Sequence, residues 1–448
     1  MEVIPMIKRL FQNMPEPMGE LWARVPYENR PCLGKKYREM KQKINAFEEM
    51  PTNKKKQIIF TRFRKSLKEA MEIPFYRDLY KRNDIRPEDI RCFEDIRNLP
   101  VITKEMLKEC PLENRSGPSK GRYMANTGGS SGSTLSFYIT PEHIPVEWAH
   151  MHAIWGRLGY KPSDLKISFS GRNLGADGIR YDGLRHQYSI NIYKNIESYV
   201  EDLRAVVTRK KIRFLHGYPS AIAEFGQRCK EIAPDVISML KTHLKGALLG
   251  SEYPAEIYRS PIEEIFEIPT VSWYGHTERA ILAWEKNNKF EYEPFQTYGY
   301  CEVLPDSETG GWRLIGTTYF NAASPFIRYD TGDDVEPIEI EEGLLKKFAI
   351  RKGRLGDFVL DRKGTRISLT ALIFGRHHRL FNIARFIQVK QREKGEMTVL
   401  ATISEELPKG FVFFEWFDAT GLDMEIRFEI IDEPIRSPSG KVVLKVNE

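Results

Sequence analysis

Tyr274, Gly275, His276, Thr277 and Glu278 follow the apolar run TVSW without a break. A strand that ends in a ring, a glycine, a hydroxyl and a carboxylate can supply a stacking face, a phosphate contact and a ligand for a hard cation. The same residues also read as a plain strand end with a helix cap, Thr277 capping and Glu278 in the first turn. Upstream lies the run Asn126, Thr127, Gly128, Gly129, Ser130, Ser131, Gly132, Ser133 and Thr134. Its glycines allow amide N–H groups to turn toward an anion and its hydroxyls add donors, so such a loop can wrap a polyphosphate. It lacks the Gly-Lys-Ser/Thr ending of a Walker loop, and a flexible linker is the simpler alternative. Further along, Tyr329, Asp330, Thr331, Gly332 and Asp333 form either a simple turn or a strand-end carboxylate able to accept both hydroxyls of a ribose. Arg351 to Asp357 form a basic, glycine-containing run, and Ser437, Pro438, Ser439 and Gly440 lead into Lys441.

The segments around these residues suggest how they are positioned. Residues 35–110 are lysine-rich, with Ile44, Phe47, Ile58, Ile59, Phe63 and Leu67 at helical spacing, and Pro51, Thr52 and Asn53 read as a helix start with a capping side chain. From about residue 120, β-rich runs alternate with helical ones: LKISFS (165–170), IRFLHGY (212–218), TVSWYG (270–275) and WRLIGT (312–317). This alternation predicts an α/β core. The flanks Arg122 to Met124 and FYIT (137–140) predict that the Gly/Ser loop joins two strands. After Asp357 the pattern changes again, with a strand at 396–404, an aromatic-rich helix at 409–420 and a strand at 424–432, the order of a small α+β unit.

Composition narrows the classes. The 448 residues allow two to four domains, and 68 Lys plus Arg against 62 Asp plus Glu make a mixed surface that argues against a nucleic-acid partner. Cys32, Cys92, Cys110, Cys229 and Cys301 are scattered, which fits neither a disulfide framework nor a C-x-x-C metal clip and suggests a reducing compartment. The opening MEVIPMIKRLFQNMP offers no long apolar h-region, and no window has the apolar length of a membrane span. The expectation is a soluble, cytoplasmic protein without membrane insertion, its oligomeric state left open.

Taken in order, the motifs near 127, 274, 329, 354 and 441 resemble those of the adenylate-forming superfamily of acyl-CoA synthetases, adenylation domains and luciferases. TGGSSGSTLSFY and HGYPSAI (216–222) are most similar to its phenylacetate-CoA ligase and capsular-polysaccharide-biosynthesis branch, and the resemblance covers roughly residues 95–448. It implies an α/β plus α+β fold, with a large N-terminal domain (1–353), a hinge (354–357) and a small mobile C-terminal domain (358–448). It also implies that Thr127, Ser130, Ser131, Gly132 and Ser133 contact the β- and γ-phosphates of ATP, although Thr134 and Leu135 replace the family's Pro-Lys ending. Tyr274 would stack on adenine, with Gly275 beside it and Gly250, Ser251 and Glu252 on the other face. Thr277 would contact the α-phosphate, Glu278 would bind Mg²⁺, and Asp333 and Arg354 would bind the ribose. Asp357 would sit at the hinge, and Lys441 would bridge the substrate carboxylate and the α-phosphate.

The acid pocket is expected among His186, Tyr188, His216, Tyr218 and His276, and Arg172, Arg180 and Arg185 are candidates for pairing with a polar or anionic acid. The implied activity is ATP-dependent adenylation of a small carboxylic acid, then acyl transfer to a thiol such as CoA. A sugar amine, another amine or a carrier-protein thiol is the alternative acceptor. A nucleotide-binding protein without catalysis is the third reading, which the joint presence of Glu278 and Lys441 disfavours.

Overall fold

A computed structural model describes residues 9–31, 33–127, 135–172, 174–306, 311–350, 358–369, 372–373, 376, 378–403, 407–435 and 443–446. The N-terminal helices are α1 (Glu16–Arg24), α2 (Gly34–Glu48), α3 (Thr52–Ala70), α4 (Pro74–Arg82) and α5 (Lys104–Glu109). Their spaced apolar residues Ile44, Phe47, Ile59, Phe63 and Leu67 are buried, as the helical period requires. The expected side-chain cap of α3 is not formed. Pro51 occupies the cap position, and Thr52 is already helical and donates its hydroxyl to Glu341 Oε1 at 2.6 Å.

Strands β1 (Tyr123–Asn126) and β2 (Ser136–Ile139) pair antiparallel, Asn126 opposite Ser136. Thr127 closes the pair: its N–H donates to the Leu135 carbonyl (3.0 Å) and its hydroxyl accepts the Leu135 N–H (2.8 Å). The Gly/Ser run therefore does connect two strands, while Gly128 to Thr134 themselves lie outside the described residues.

After α6 (His143–Gly156) comes an eight-stranded sheet built from β3 (Lys166–Ser170), β4 (Ile179–Asp182), β5 (Gln187–Asn191), β6 (Phe214–Gly217), β7 (Gly246–Leu249), β8 (Thr270–Gly275), β9 (Leu282–Trp284) and β10 (Glu293–Pro294). Its order is β10-β9-β8-β7-β6-β3-β5-β4, and the five strands from β8 to β5 run parallel. Parallel neighbours need helical crossovers, here α7 (Val200–Arg209), α8 (Pro219–Ile232), α9 (Pro234–Lys241) and α10 (Glu256–Phe266). One sheet face, with Ile167, Phe169, Tyr188, Leu215 and Leu249, forms a core with these helices. On the other face Phe214, Leu248 and Val271 pack with residues of α2 and α6. The parallel strands all end at one edge, the edge where α/β sheets place their ligands. A buried bidentate pair, Arg259 Nη1 and Nη2 on Glu285 Oε1 and Oε2 at 2.7 and 2.9 Å, ties α10 to the chain after β9.

A four-stranded antiparallel sheet follows: β11 (Gly299–Pro305), β12 (Trp312–Thr318), β13 (Tyr329–Glu341) and β14 (Leu344–Ile350). Between β12 and β13, Thr331, Gly332 and Asp333 together oppose Leu314. This bulge needs a left-handed residue, and Gly332 supplies it at φ 74°.

The C-terminal strands are β15 (Phe358–Leu360), β16 (Arg366–Ser368), β17 (Ala384–Lys390), β18 (Glu396–Ile403), β19 (Glu425–Ile430) and β20 (Lys445–Val446), with α11 (Phe413–Trp416) crossing between the parallel neighbours β18 and β19. The helix expected over 409–420 is thus a single turn, confined by left-handed Gly410 and Gly421. The four-stranded sheet β19-β18-β17-β20 contributes residues of β17 and β18 to a core to which β15, β16, Tyr193 and Tyr218 also belong. The expected hinge residues Arg354 and Asp357, and Lys441, lie outside the described residues.

The fold is therefore mixed α/β, as the alternation of patterns requires, with a second, smaller α+β sheet near the C-terminus.

Candidate active site

The end of β8 and the bulge of β13 meet at the ligand edge. The Tyr274 hydroxyl donates to Asp333 Oδ2 at 2.6 Å. Its ring is buried edge-on against Phe348, at 5.7 Å and 86° between planes. The bulge turns Asp333 toward this hydroxyl, and the Thr331 hydroxyl accepts the Asp333 N–H at 3.3 Å. Asp330 turns away from the site: it binds Arg313 Nη1 at 2.8 Å and accepts the Gly332 N–H at 2.9 Å.

Glu278 is buried and held from two sides. Tyr329 donates its hydroxyl to Oε1 at 2.9 Å, and His276 Nδ1 lies 3.0 Å from Oε2. The Ile281 N–H donates to His276 Nε2 at 3.3 Å, which leaves Nδ1 as the proton-bearing nitrogen that donates to Glu278. Burial alone would raise the Glu278 carboxyl, but the hydrogen bond from His276 and the Lys104 ammonium hold it down at about 2. Thr277 is exposed at the same turn, and since the chain passes from β8 to β9 with no helix between them, neither it nor Glu278 forms the helix cap that was the plain alternative.

Lys104 carries no motif, and the sequence reading missed it. Ile102 bridges to Tyr329, with its N–H donating to the Arg328 carbonyl (3.0 Å) and its carbonyl accepting the Asp330 N–H (2.9 Å). This pins the start of α5 beside β13, and the Thr103 hydroxyl caps the helix by accepting the Met106 N–H at 3.3 Å. Burial lowers the Lys104 ammonium, while Glu278, Glu105 and Asp333 act to raise it. Its only visible signal in the sequence is a Thr-Lys helix start.

Arg279, at φ 59°, anchors the turn from behind: its Nη1 donates to His143 Nδ1 on α6 at 3.0 Å.

The second edge segment, Gly250 to Glu252, follows β7. A Cβ on Gly250 would sit 2.2 Å from the Trp273 ring, so glycine here allows Trp273 to lie across β7. Ser251 is left-handed at φ 67°, and Glu252 Oε2 accepts the Ser220 hydroxyl at 2.6 Å near the start of α8.

The five pocket candidates separate. His216 and His276 stay at the ligand edge, and His216 stacks on Trp273 at 6.1 Å and 10°. Burial first, then Lys166, Arg185 and Arg172, push the His216 imidazole down to about 3. Tyr188 points to the opposite sheet face and donates to Glu16 Oε2 at 2.7 Å. His186 precedes β5 at φ 49° and pairs through Nδ1 with the Tyr181 hydroxyl at 2.9 Å. Tyr218 joins the C-terminal core. The structure thus removes His186, Tyr188 and Tyr218 from a shared pocket, Tyr188 because side chains alternate between faces along a strand.

No family model matches the chain. It is similar to protein CapK of Staphylococcus aureus, 23% identical over 399 residues that cover 83% of this chain and 84% of that protein. Among solved structures, 2-hydroxyisobutyryl-CoA ligase in complex with 2-HIB-AMP and CoA in the thioesterification state aligns with a TM-score of 0.56 at 17% identity, over 88% of this chain and 90% of that one. The same ligase in the postadenylation state with R3-HIB-AMP gives 0.55 at 16%, over 89% and 90%. The chain has the fold of this CoA ligase.

Proposed function

We propose that this protein is an adenylate-forming ligase. A carboxylate oxygen of a small acid attacks the α-phosphorus of ATP, the bond to the β-phosphate breaks, and acyl-AMP forms with release of pyrophosphate. An acceptor then attacks the acyl carbon and AMP leaves. The observation that carries this reading is the convergence of Asp333, Glu278 and Lys104 at the end of β8, each carboxylate held by a tyrosine hydroxyl.

Asp333 accepts the ribose hydroxyls and Tyr274 fixes its rotamer; the adenine stacking that the resemblance gives Tyr274 suits less well a ring that is buried and already packed against Phe348. Thr277 meets the α-phosphate from its exposed position. Lys104 supplies a positive charge near the phosphates that the Gly/Ser loop, ending in Thr134 and Leu135, does not. Among the described residues no group of three or more His, Cys, Asp and Glu is placed to hold a metal ion. Mg²⁺ commonly takes one or two carboxylates together with substrate phosphates, and the ionised Glu278 fits as its protein ligand. When bound, the ion neutralises phosphate charge.

The resemblance further assigns the β- and γ-phosphates to Thr127, Ser130, Ser131, Gly132 and Ser133, the ribose also to Arg354, and the reacting carboxylate to Lys441. It makes 358–448 a unit that rotates about 354–357 between the two steps. The separate sheet β19-β18-β17-β20 supports such a unit. CoA is the first acceptor reading, favoured by the CoA complex of the similar ligase. An amine, such as a sugar amine in polysaccharide biosynthesis, or a carrier-protein thiol is the second, favoured by the similarity to CapK. No helix among the described residues is long and apolar enough to cross a membrane, and a cytoplasmic site of action is part of this reading.

ATP–pyrophosphate exchange across a broad panel of carboxylic acids tests the proposal. At least one acid should support exchange; silence from folded protein across the panel would leave a nucleotide-binding protein in its place.

A further inference from the structure

Three cationic side chains gather on the sheet face that carries His216. Arg172 leaves the end of β3 and folds back, so that its Nη1 reaches Asp182 Oδ2 at 2.8 Å, and Arg185 Nη1 reaches the same oxygen at 3.0 Å. Among the described residues Asp182 is the only carboxylate within ion-pair distance of either guanidinium. In register, Asp182 stands opposite Gln187, and Gln187 opposite Lys166. The Lys166 ammonium is buried and donates to neutral groups, the Arg185 carbonyl at 2.7 Å and the Tyr160 hydroxyl at 3.3 Å. Arg180, the third arginine singled out from the sequence, turns outward to Asp177.

One carboxylate thus faces two guanidiniums and an ammonium. The other charged groups near Lys166 do not change the balance: Arg30 adds a positive charge and packs on the rings of Trp22 and Tyr27, while Asp164 accepts the Lys161 N–H. Burial, then Arg185, lower the Lys166 ammonium to about 7, the response of a cation among cations. Two further observations point to a ligand. Gln187 is 2% exposed and its Oε1 has no hydrogen-bond partner. His216, Trp273, Ser170 and Arg172 each keep part of their surface accessible, although the first two lie mid-sheet. Partly accessible side chains therefore follow one sheet face from Trp273 past His216 to Ser170 and Arg172. Along β3, the His216 row and the Lys166 row are two residues apart, about 7 Å.

Building on the ligase reading, we propose that the acid activated here carries a second anionic group, carboxylate or phosphate, and that Arg172 and Arg185 hold it while the reacting carboxylate lies at the Gly250–His276 end. His216, stacked on Trp273, lies between them. Lys166 completes the charge and Gln187 Oε1 accepts a hydroxyl of the acid.

The test compares matched acids in ATP–pyrophosphate exchange: monocarboxylates, dicarboxylates of the same chain length and phosphorylated hydroxy acids. A second anion should raise kcat/KM about tenfold or more, the scale of a charge-assisted hydrogen bond, and the better of the last two sets names the anion. Arg172→Met should remove that advantage and leave the monocarboxylates unchanged, and Arg172→Lys should restore part of it. Equal rates for mono- and dianionic acids, or equal losses for both in Arg172→Met, would overturn the proposal while leaving the ligase reading intact. Thermal unfolding with each acid alone gives an independent arm. If no acid supports exchange, stabilisation by dianionic acids that Arg172→Met abolishes still upholds the anion site, and its absence rejects it.

Discussion

Tyr274 and Asp333 stand 2.6 Å apart, hydroxyl to carboxylate, because a glycine bulge in one sheet turns the acid toward a tyrosine at the end of another. The tyrosine acts through the carboxylate it orients. Tyr274→Phe should therefore raise the KM for ATP about three- to tenfold with a smaller change in kcat, the loss of one hydrogen bond to a charged group. Asp333→Asn should cost more. An unchanged KM in Tyr274→Phe would show that the hydroxyl does not position the nucleotide.

Glu278 has a pH signature in stability. Its folded carboxyl is held at about 2 against an ordinary 4.5, so the stabilisation is whole above about pH 4.5 and is lost as pH falls toward 2. Glu278→Gln should narrow its stability gap to the wild type over that window in urea unfolding. A gap independent of pH would contradict the ionised, hydrogen-bonded state. In activity, the same variant should need more Mg²⁺ to reach half its maximal exchange rate.

Lys104→Met removes the ammonium that faces both carboxylates. Pyrophosphate exchange should fall about tenfold or more, while the fold, supported by the Thr103 cap and the Ile102 bridge, stays intact by circular dichroism. Full activity would move the phosphate-neutralising charge elsewhere, with Lys441 the first place to look.

Arg259→Met leaves the Glu285 carboxylate buried without its partner and should destabilise the protein by about 3–5 kcal/mol in urea unfolding. Replacing Glu285 with methionine as well should recover much of the loss. A single variant as stable as the wild type would mean that water reaches Glu285.

The sequence made some of this legible and hid the rest for physical reasons. The strands at 166–170, 214–217, 270–275 and 312–318 fall where short β-rich runs predicted them, because a strand buried on both faces is locally apolar. Tyr188 was misread since one step along a strand separates the two faces: Gln187 and Ser189 share a face with Lys166 and Ser168, and Tyr188 does not. Lys104 was invisible because its place depends on pairing between Ile102 and Tyr329, residues far apart in the chain. Arg172 and Arg185 stood out as charges in a loop, but only register shows that they share Asp182.

Tyr193 and Tyr218 belong by sequence to the large sheet and by packing to the C-terminal core, with the Arg376 guanidinium 3.9 Å above the Tyr193 ring. A chain cut just before Phe358 would leave both rings uncovered on its surface. Such a fragment should self-associate, and a shortened version made for crystallography or screening would need polar replacements at both positions.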